Sequence, residues 1–253
     1  MEVHHHSHHP KKWNEYVSEF LMLFFAVFLG FMSEYYLEYK AERHKEHDYL
    51  VSMVEDLKAD TAEITAKNIA MNELMSSGNK LTQLAYKKTW TEEDIDTIYL
   101  KSINLVTRLV TLNFTSGTID QLKNAGGFRL IRNEEIVKRI TDYEKQKITI
   151  KVQQEGMADK WINVHKIQNG LLHLNVFVVS DKFGNVDFNR SMLNDIATTT
   201  GSKFLKKDRT YFYEYANYIN VMKGYVAFYQ VMSLMEKQKA TELIAIIEKE
   251  LNH

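Results

Sequence analysis

The residues that could do chemistry in this chain are few and scattered. His44, His47 and Asp48 fall at i, i+3 and i+4, which on a helix sets His44 beside both partners, as a divalent-metal site requires. No fourth ligand is specified, and mixed charge around Lys45 and Glu46 also suits a solvated helix face. Tyr211, Tyr215, Tyr218, Tyr225 and Tyr229 recur at near-helical spacing, crowded by Phe212, Tyr213 and Phe228. Tyrosine hydroxyls favour half-wet sites, so this row predicts either a ligand-binding or subunit surface or an aromatic core stripe. Lys206, Lys207 and Arg209 stand just ahead of it and could hold an anion, although a charged helix start accounts for them better. The tract His4-His5-His6-Ser7-His8-His9 can bind metal through neutral imidazoles or serve as a flexible tail.

Recognised catalytic patterns are missing: there is no His-Glu-x-x-His, no phosphate-binding glycine loop, no Gly-x-Ser-x-Gly and no kinase set. The chain has no cysteine, which excludes disulfides, thiolate catalysis, cysteine-ligated zinc and a lipoprotein anchor. A formal net charge of -1 removes the usual electrostatic case for nucleic acid. The expectation is a protein without catalysis and without a cofactor.

The elements must position whatever remains. One proline and 10 glycines in 253 residues leave long tracts without breakers, so the fold class expected is all-α. Phe20 to Met32 is an uninterrupted apolar run. Lys11, Lys12 and Trp13 precede it and Tyr35, Tyr36 and Tyr39 follow, so basic and aromatic groups stand at headgroup level. From Trp13 to Tyr36 a helix reaches about 35 Å, enough to span a bilayer. A signal peptide would fit the apolar length, but Phe31-Met-Ser-Glu-Tyr-Tyr36 offers no small-x-small cleavage site. Glu19 and Glu34 lie about 22 Å apart along such a helix, less than the ~30 Å hydrocarbon thickness, so at least one needs a partner helix or a thinned bilayer. Ala26 and Gly30, four apart, make a small-x-x-x-small face by which two anchors could approach. Lysine and arginine counts on the two sides nearly tie. The unmixed pair Lys11-Lys12 favours an inside N-terminus, with the bulk of the chain outside the cytoplasmic membrane.

Beyond the anchor, Leu50, Val54, Leu57, Thr61, Ile64, Asn68, Met71 and Met75 make one stripe of a long helix, with Thr61 and Asn68 as polar seam residues able to set register. Ser76-Ser-Gly-Asn79 could bend or end it, although Leu81, Leu84 and Ala85 suggest that the helix resumes. Thr91-Glu-Glu-Asp94 and Thr118-Ile-Asp-Gln121 read as capping patterns, Gly126-Gly127 as a stop, and Asn133 as a further cap. The expected architecture is an N-terminal transmembrane helix followed by an antiparallel bundle. Its long helices cover 40–88, 133–170 and 203–250, with shorter ones at 92–112 and 118–125. Val176 to Asn189 is the one strand-like stretch, a short hairpin or a loop. The chain divides into a His-rich tail (1–12), an anchor (13–39) and a helical domain (40–253).

The His-rich start, Lys11-Lys12-Trp13, the Glu19-to-Glu34 segment, and Thr118-Ile-Asp-Gln-Leu-Lys-Asn-Ala-Gly-Gly-Phe-Arg-Leu-Ile-Arg-Asn133 resemble an uncharacterised family of bacterial single-pass membrane proteins, a domain of unknown function. The resemblance implies a single membrane span and carries over no catalytic residue; together with the Lys11-Lys12 orientation it gives the expectation of an inner-membrane anchor with a periplasmic helical domain. Two functions are therefore expected in competition. One is a membrane-anchored interaction or scaffold protein, a homo-oligomer or a subunit of a membrane complex. The other is a membrane-anchored ligand-sensing module built around the tyrosine row.

Overall fold

The computed structural model describes residues 12–107, 109–124, 126–174 and 202–252. The histidine tract, Lys11 and the strand-like stretch from Val176 to Asn189 lie outside the described residues. Among the described residues five helices follow in order: α1 (Trp13–Ala85), α2 (Glu92–Thr107), α3 (Gly117–Asn124), α4 (Glu134–Asn169) and α5 (Arg209–Leu251), with a 3-10 turn at Gly127–Leu130. Among the described residues the single extended pairing is an antiparallel bridge between Leu172 and Phe204.

α1 is one unbroken helix of 73 residues, about 110 Å long at ~1.5 Å per residue. The apolar segment expected as an anchor and the first helix of the packed part of the chain are thus one element. Ser76-Ser-Gly-Asn79 neither bends nor ends it. Ser77 and Gly78 are buried instead, and a Cβ on Gly78 would stand 3.0 Å from Lys223 Cδ and 3.3 Å from Ile219 Cγ2. The glycine lets α5 approach closely; within a packed helix it is a spacing device.

The capping signals act largely as their chemistry requires. The Thr91 N–H donates to Asp94 Oδ2 at 2.8 Å and the Asp94 N–H to Thr91 Oγ1 at 3.2 Å, a reciprocal box at the start of α2. Asn133 Oδ1 accepts from the Glu135 N–H at 3.1 Å and starts α4. α3 differs: it begins at Gly117, and the Thr118 N–H is met by Asp56 of α1 at 3.2 Å. A partner helix does the capping there. Gly126 takes the left-handed conformation at φ 62, and a Cβ on Gly127 would strike Leu122 Cδ2 at 2.9 Å, so two glycines are needed to turn the chain after α3.

α5 starts at Arg209, six residues later than expected, because Asp208 caps it through the Thr210 N–H at 2.8 Å. The preceding Phe204 is held by its bridge to Leu172. Arg209 turns back over the end of α1, donating to the carbonyls of Ala85, Lys87 and Lys88, and lies 4.0 Å from the Trp90 ring centroid. Its charge is spent on the carbonyl end of a helix.

Cross-contacts give the helix directions. Lys58 meets Glu248 while Tyr86 meets Asn217, so α1 and α5 are antiparallel. Arg139 meets Glu242 while Tyr229 meets Gln154, so α4 and α5 are antiparallel too. α1 and α4 share one direction, because α2, α3 and the turn return the chain to the level of Glu46, which binds Arg132 at 2.7 Å.

The apolar interior falls into two clusters. Leu50, Met53, Leu57, Ile136, Ile140 and Leu243 belong to the one nearer the anchor. Ile64, Met71, Ile150, Met157, Met222 and Tyr229 belong to the one farther away. Every residue from Lys12 to Ala41 is exposed.

Candidate functional site

The tyrosines do not share a face. Positions 215, 222, 229, 236 and 243, seven apart, are buried, and so are Ile219, Val226, Ser233, Ala240 and Ile247, each four residues further on. The stripe that faces the core therefore runs through the +4 positions. Tyr218 and Tyr225, at +3, lie outside it at 38% and 36% exposure, with Tyr211 at 39%. A row of tyrosines spaced 4, 3, 7 and 4 apart reads as one face on paper. The interlock of α5 with α1 and α4 splits it into core and rim.

Tyr229 donates to Gln154 Oε1 at 2.7 Å and accepts from the Leu112 N–H at 3.0 Å. Tyr215 is buried beside Ser102. Burial raises both phenols above their ordinary range, so they are core groups that stay neutral. On the rim, the Tyr225 ring lies against Gly156 and below the Lys160 ammonium, 5.3 Å away. Tyr211 carries Lys206 over its ring at 4.1 Å. A shallow apolar depression lined by Leu74, Val110, Met157, Trp161, Met222 and Val226 has room for about one water molecule, and none of the five tyrosines lines it.

Near the anchor, His44 Nε2 lies 3.5 Å from Asp48 Oδ2 and His47 Nδ1 lies 3.7 Å from Asp48 Oδ1. All three side chains are more than half exposed. Among the described residues no three histidine, aspartate or glutamate side chains converge as a metal-binding group. Glu19, Ala26, Gly30 and Glu34 all lie on the exposed part of α1, and a Cβ on Gly30 would meet nothing within 4 Å.

The groups with the most perturbed chemistry stand elsewhere, in a polar layer between the two apolar clusters. Asp60 of α1 is 1% exposed. It accepts from the Tyr143 hydroxyl at 2.5 Å and from the Thr115 N–H at 2.7 Å. Burial, and then the neighbouring Asp60, push the Tyr143 phenol far above its ordinary range. Lys147, one turn along α4, donates to the Thr115 carbonyl at 2.9 Å, pairs with Glu144 at 2.9 Å, and lies over the Phe114 and Tyr143 rings. Burial works to raise Glu144, but hydrogen bonds from Lys123 and Lys147 outweigh it and hold the group below the usual carboxylate range.

Glu236 of α5 completes the layer and breaks its rule. It is fully buried, and among the described residues neither carboxyl oxygen has a hydrogen-bond partner. Burial pushes it up to about 8, with Asp60 and Glu144 adding to the rise and Lys239 and Lys147 opposing it. A buried carboxyl with no donor is held in its neutral, protonated form near neutral pH. The arrangement can take up and release one proton inside a packed interior.

No family model matches this chain. No curated protein and no solved structure matches it either.

Sequence reasoning passed over Asp60 and Glu236. It placed Thr61 in the seam, yet Thr61 bonds the Lys58 carbonyl of its own helix at 2.9 Å, and its neighbour Asp60 points inward. Asn68 does reach across, accepting from Gln230 of α5 at 2.6 Å. Extending 215, 222, 229 by seven arrives at 236, so a carboxyl in the core stripe was a readable signal.

Proposed function

We propose that the protein is a single-pass membrane protein whose anchor carries a helical interaction or scaffold domain, working as a homo-oligomer or as a subunit of a membrane complex, without catalysis. The observation that carries this reading is the state of the first half of α1. Its most apolar 18-residue window has a mean hydropathy of 1.8, and no part of that window is buried by the rest of the chain. Phe20, Leu23, Phe25, Leu29 and Phe31 are all more than half exposed. Left in water such a surface would drive association, whereas lipid would remove it from water. Lys40 over Tyr36 and Arg43 over Tyr39 then fall at one headgroup level.

A second apolar surface supports the assembly half of the reading. Val221, Phe228, Val231, Leu234 and Met235 are exposed along the outer side of α5, and such a run suits a protein partner. Anchors would approach along Ala26 and Gly30, where Gly30 leaves open space.

Membrane fractions washed with carbonate should retain the full-length protein; its recovery in the soluble fraction would overturn the anchor. Native mass spectrometry from detergent should give a defined oligomer or a copurified subunit, while a bound metabolite on a monomer would favour the ligand-sensing module. The inner-membrane placement with the helical domain outside the cytoplasm is testable because the chain has no cysteine. A lone cysteine introduced as Lys207→Cys should react with a membrane-impermeant maleimide on intact cells. Labelling only after lysis would reverse the orientation.

A further inference from the structure

The layer around Glu236 sits where a structural protein gains least from a free carboxyl. Above and below it α1, α4 and α5 are joined by apolar side chains, Ile64, Ile150 and Met232 on one side and Leu57, Ile140 and Ala240 on the other. At the waist between them the three helices are joined by Asp60, Tyr143 and Lys147, all of whose polar contacts are made, and by Glu236, whose contacts are not. A leucine at this position would continue the heptad with Met222, Tyr229 and Leu243.

We infer that this waist is a proton-operated joint, closed while Glu236 carries its proton and opened by alkalinisation, so that the anchor-proximal and anchor-distal halves of the helical domain are coupled or uncoupled by pH. The groups facing Glu236 determine the sign. Asp60 from α1 and Tyr143 and Glu144 from α4 offer it no positive charge. Lys147 from α4 is engaged by Glu144 and the Thr115 carbonyl, and Lys239 belongs to its own helix. An ionised Glu236 therefore has no donor in the closed waist, whereas water supplies donors as soon as the helices part.

The closed state holds the proton up to about 8, and a hydrated carboxyl releases it near the ordinary 4.5. Opening thus gains free energy as pH rises between those two values and stops gaining above the higher one. α1 runs without a break from the anchor through Asp60, so movement at the waist changes how α4 and α5 sit on a rod whose other end would lie in lipid. The inference stands on the packed helices alone and holds whether or not α1 enters a membrane.

Hydrogen exchange on the full chain in detergent tests it. After correction for intrinsic rates, amides flanking Asp60, Tyr143 and Glu236 should open more readily with rising pH, by up to about tenfold per pH unit between 5 and 8. Those flanking Met71 and Met157 should change less. Glu236→Gln should abolish the slope at the waist, and Glu236→Leu should do the same if the glutamine variant fails to fold. Carboxyl carbon NMR of the wild type should place the Glu236 titration well above the other glutamates. Equal slopes in wild type and variant, or a Glu236 titration in the ordinary carboxylate range, would overturn the proposal.

Discussion

Glu236 makes one side chain decisive for pH dependence. Its folded-state affinity for a proton is raised, so below about pH 4.5 both folded and unfolded chains hold the proton and there is no penalty. Between 4.5 and 8 only the folded chain does, and stability falls by at most about 1.4 kcal/mol per pH unit. Glu236→Leu should therefore raise the melting temperature of the detergent-solubilised protein at pH 8 and leave it little changed at pH 4.5. Asp60 behaves oppositely, because its two bonds are made. Asp60→Ala strands the Tyr143 hydroxyl and the Thr115 N–H and should cost on the order of 3 kcal/mol. Tyr143→Phe added to it should cost less than it does alone, a coupling that a double-mutant cycle by chemical denaturation would measure. Asp60 is the least visible of these in the sequence. Thr61 and Asn68 look like the polar breaks in the α1 stripe, but helix phase alone does not say whether position 60 or 61 faces a partner. The distinction is one step of 100°, and the shape of α5 and α4 decides it.

Elements were easier to read than contacts. The boxes at Thr91 and the cap at Asn133 depend on side chains two or three residues from the N–H they satisfy, so local sequence suffices to place them. Asp94→Ala should lower the melting temperature in thermal unfolding. That carboxyl is held near 2 by Lys87 and the Thr91 N–H, so the loss should disappear only in strong acid. Start and stop signals that depend on another helix are ambiguous in the sequence. Ser76-Ser-Gly-Asn79 has the composition of a break, and what keeps it helical is the packing of Gly78 on Ile219 and the Lys223 stem. Gly78→Val should destabilise by about 2 kcal/mol through overpacking, measurable by denaturant titration. The start of α3 is likewise decided from outside, by Asp56.

For the whole molecule, the continuity of α1 joins what composition had separated into anchor and domain. Residues 12–41 are exposed throughout, so they contribute nothing to the packing of α1 on α4 and α5. Removing residues 1–40 should yield a water-soluble chain that melts at the temperature of the full-length protein in mild detergent. A large drop in that temperature would mean that the anchor supports the fold.

The all-helical character of the described residues, the long apolar segment near the N-terminus and most helix limits follow from the sequence alone. Each rests on short-range physics: the scarcity of glycine and proline, the run from Phe20 to Met32, and side chains capping the next turn. The directions of α1, α4 and α5, the split of the tyrosine row and the burial of an unpartnered Glu236 belong to tertiary structure. A periodic stripe tells a helix that it has a core face, but only the partner helices, by where their own side chains leave room, choose between residues one step apart on the wheel. Glu236 acquires its chemistry from that choice, since a carboxyl in water is ordinary and the same carboxyl between two apolar cores binds its proton far more tightly.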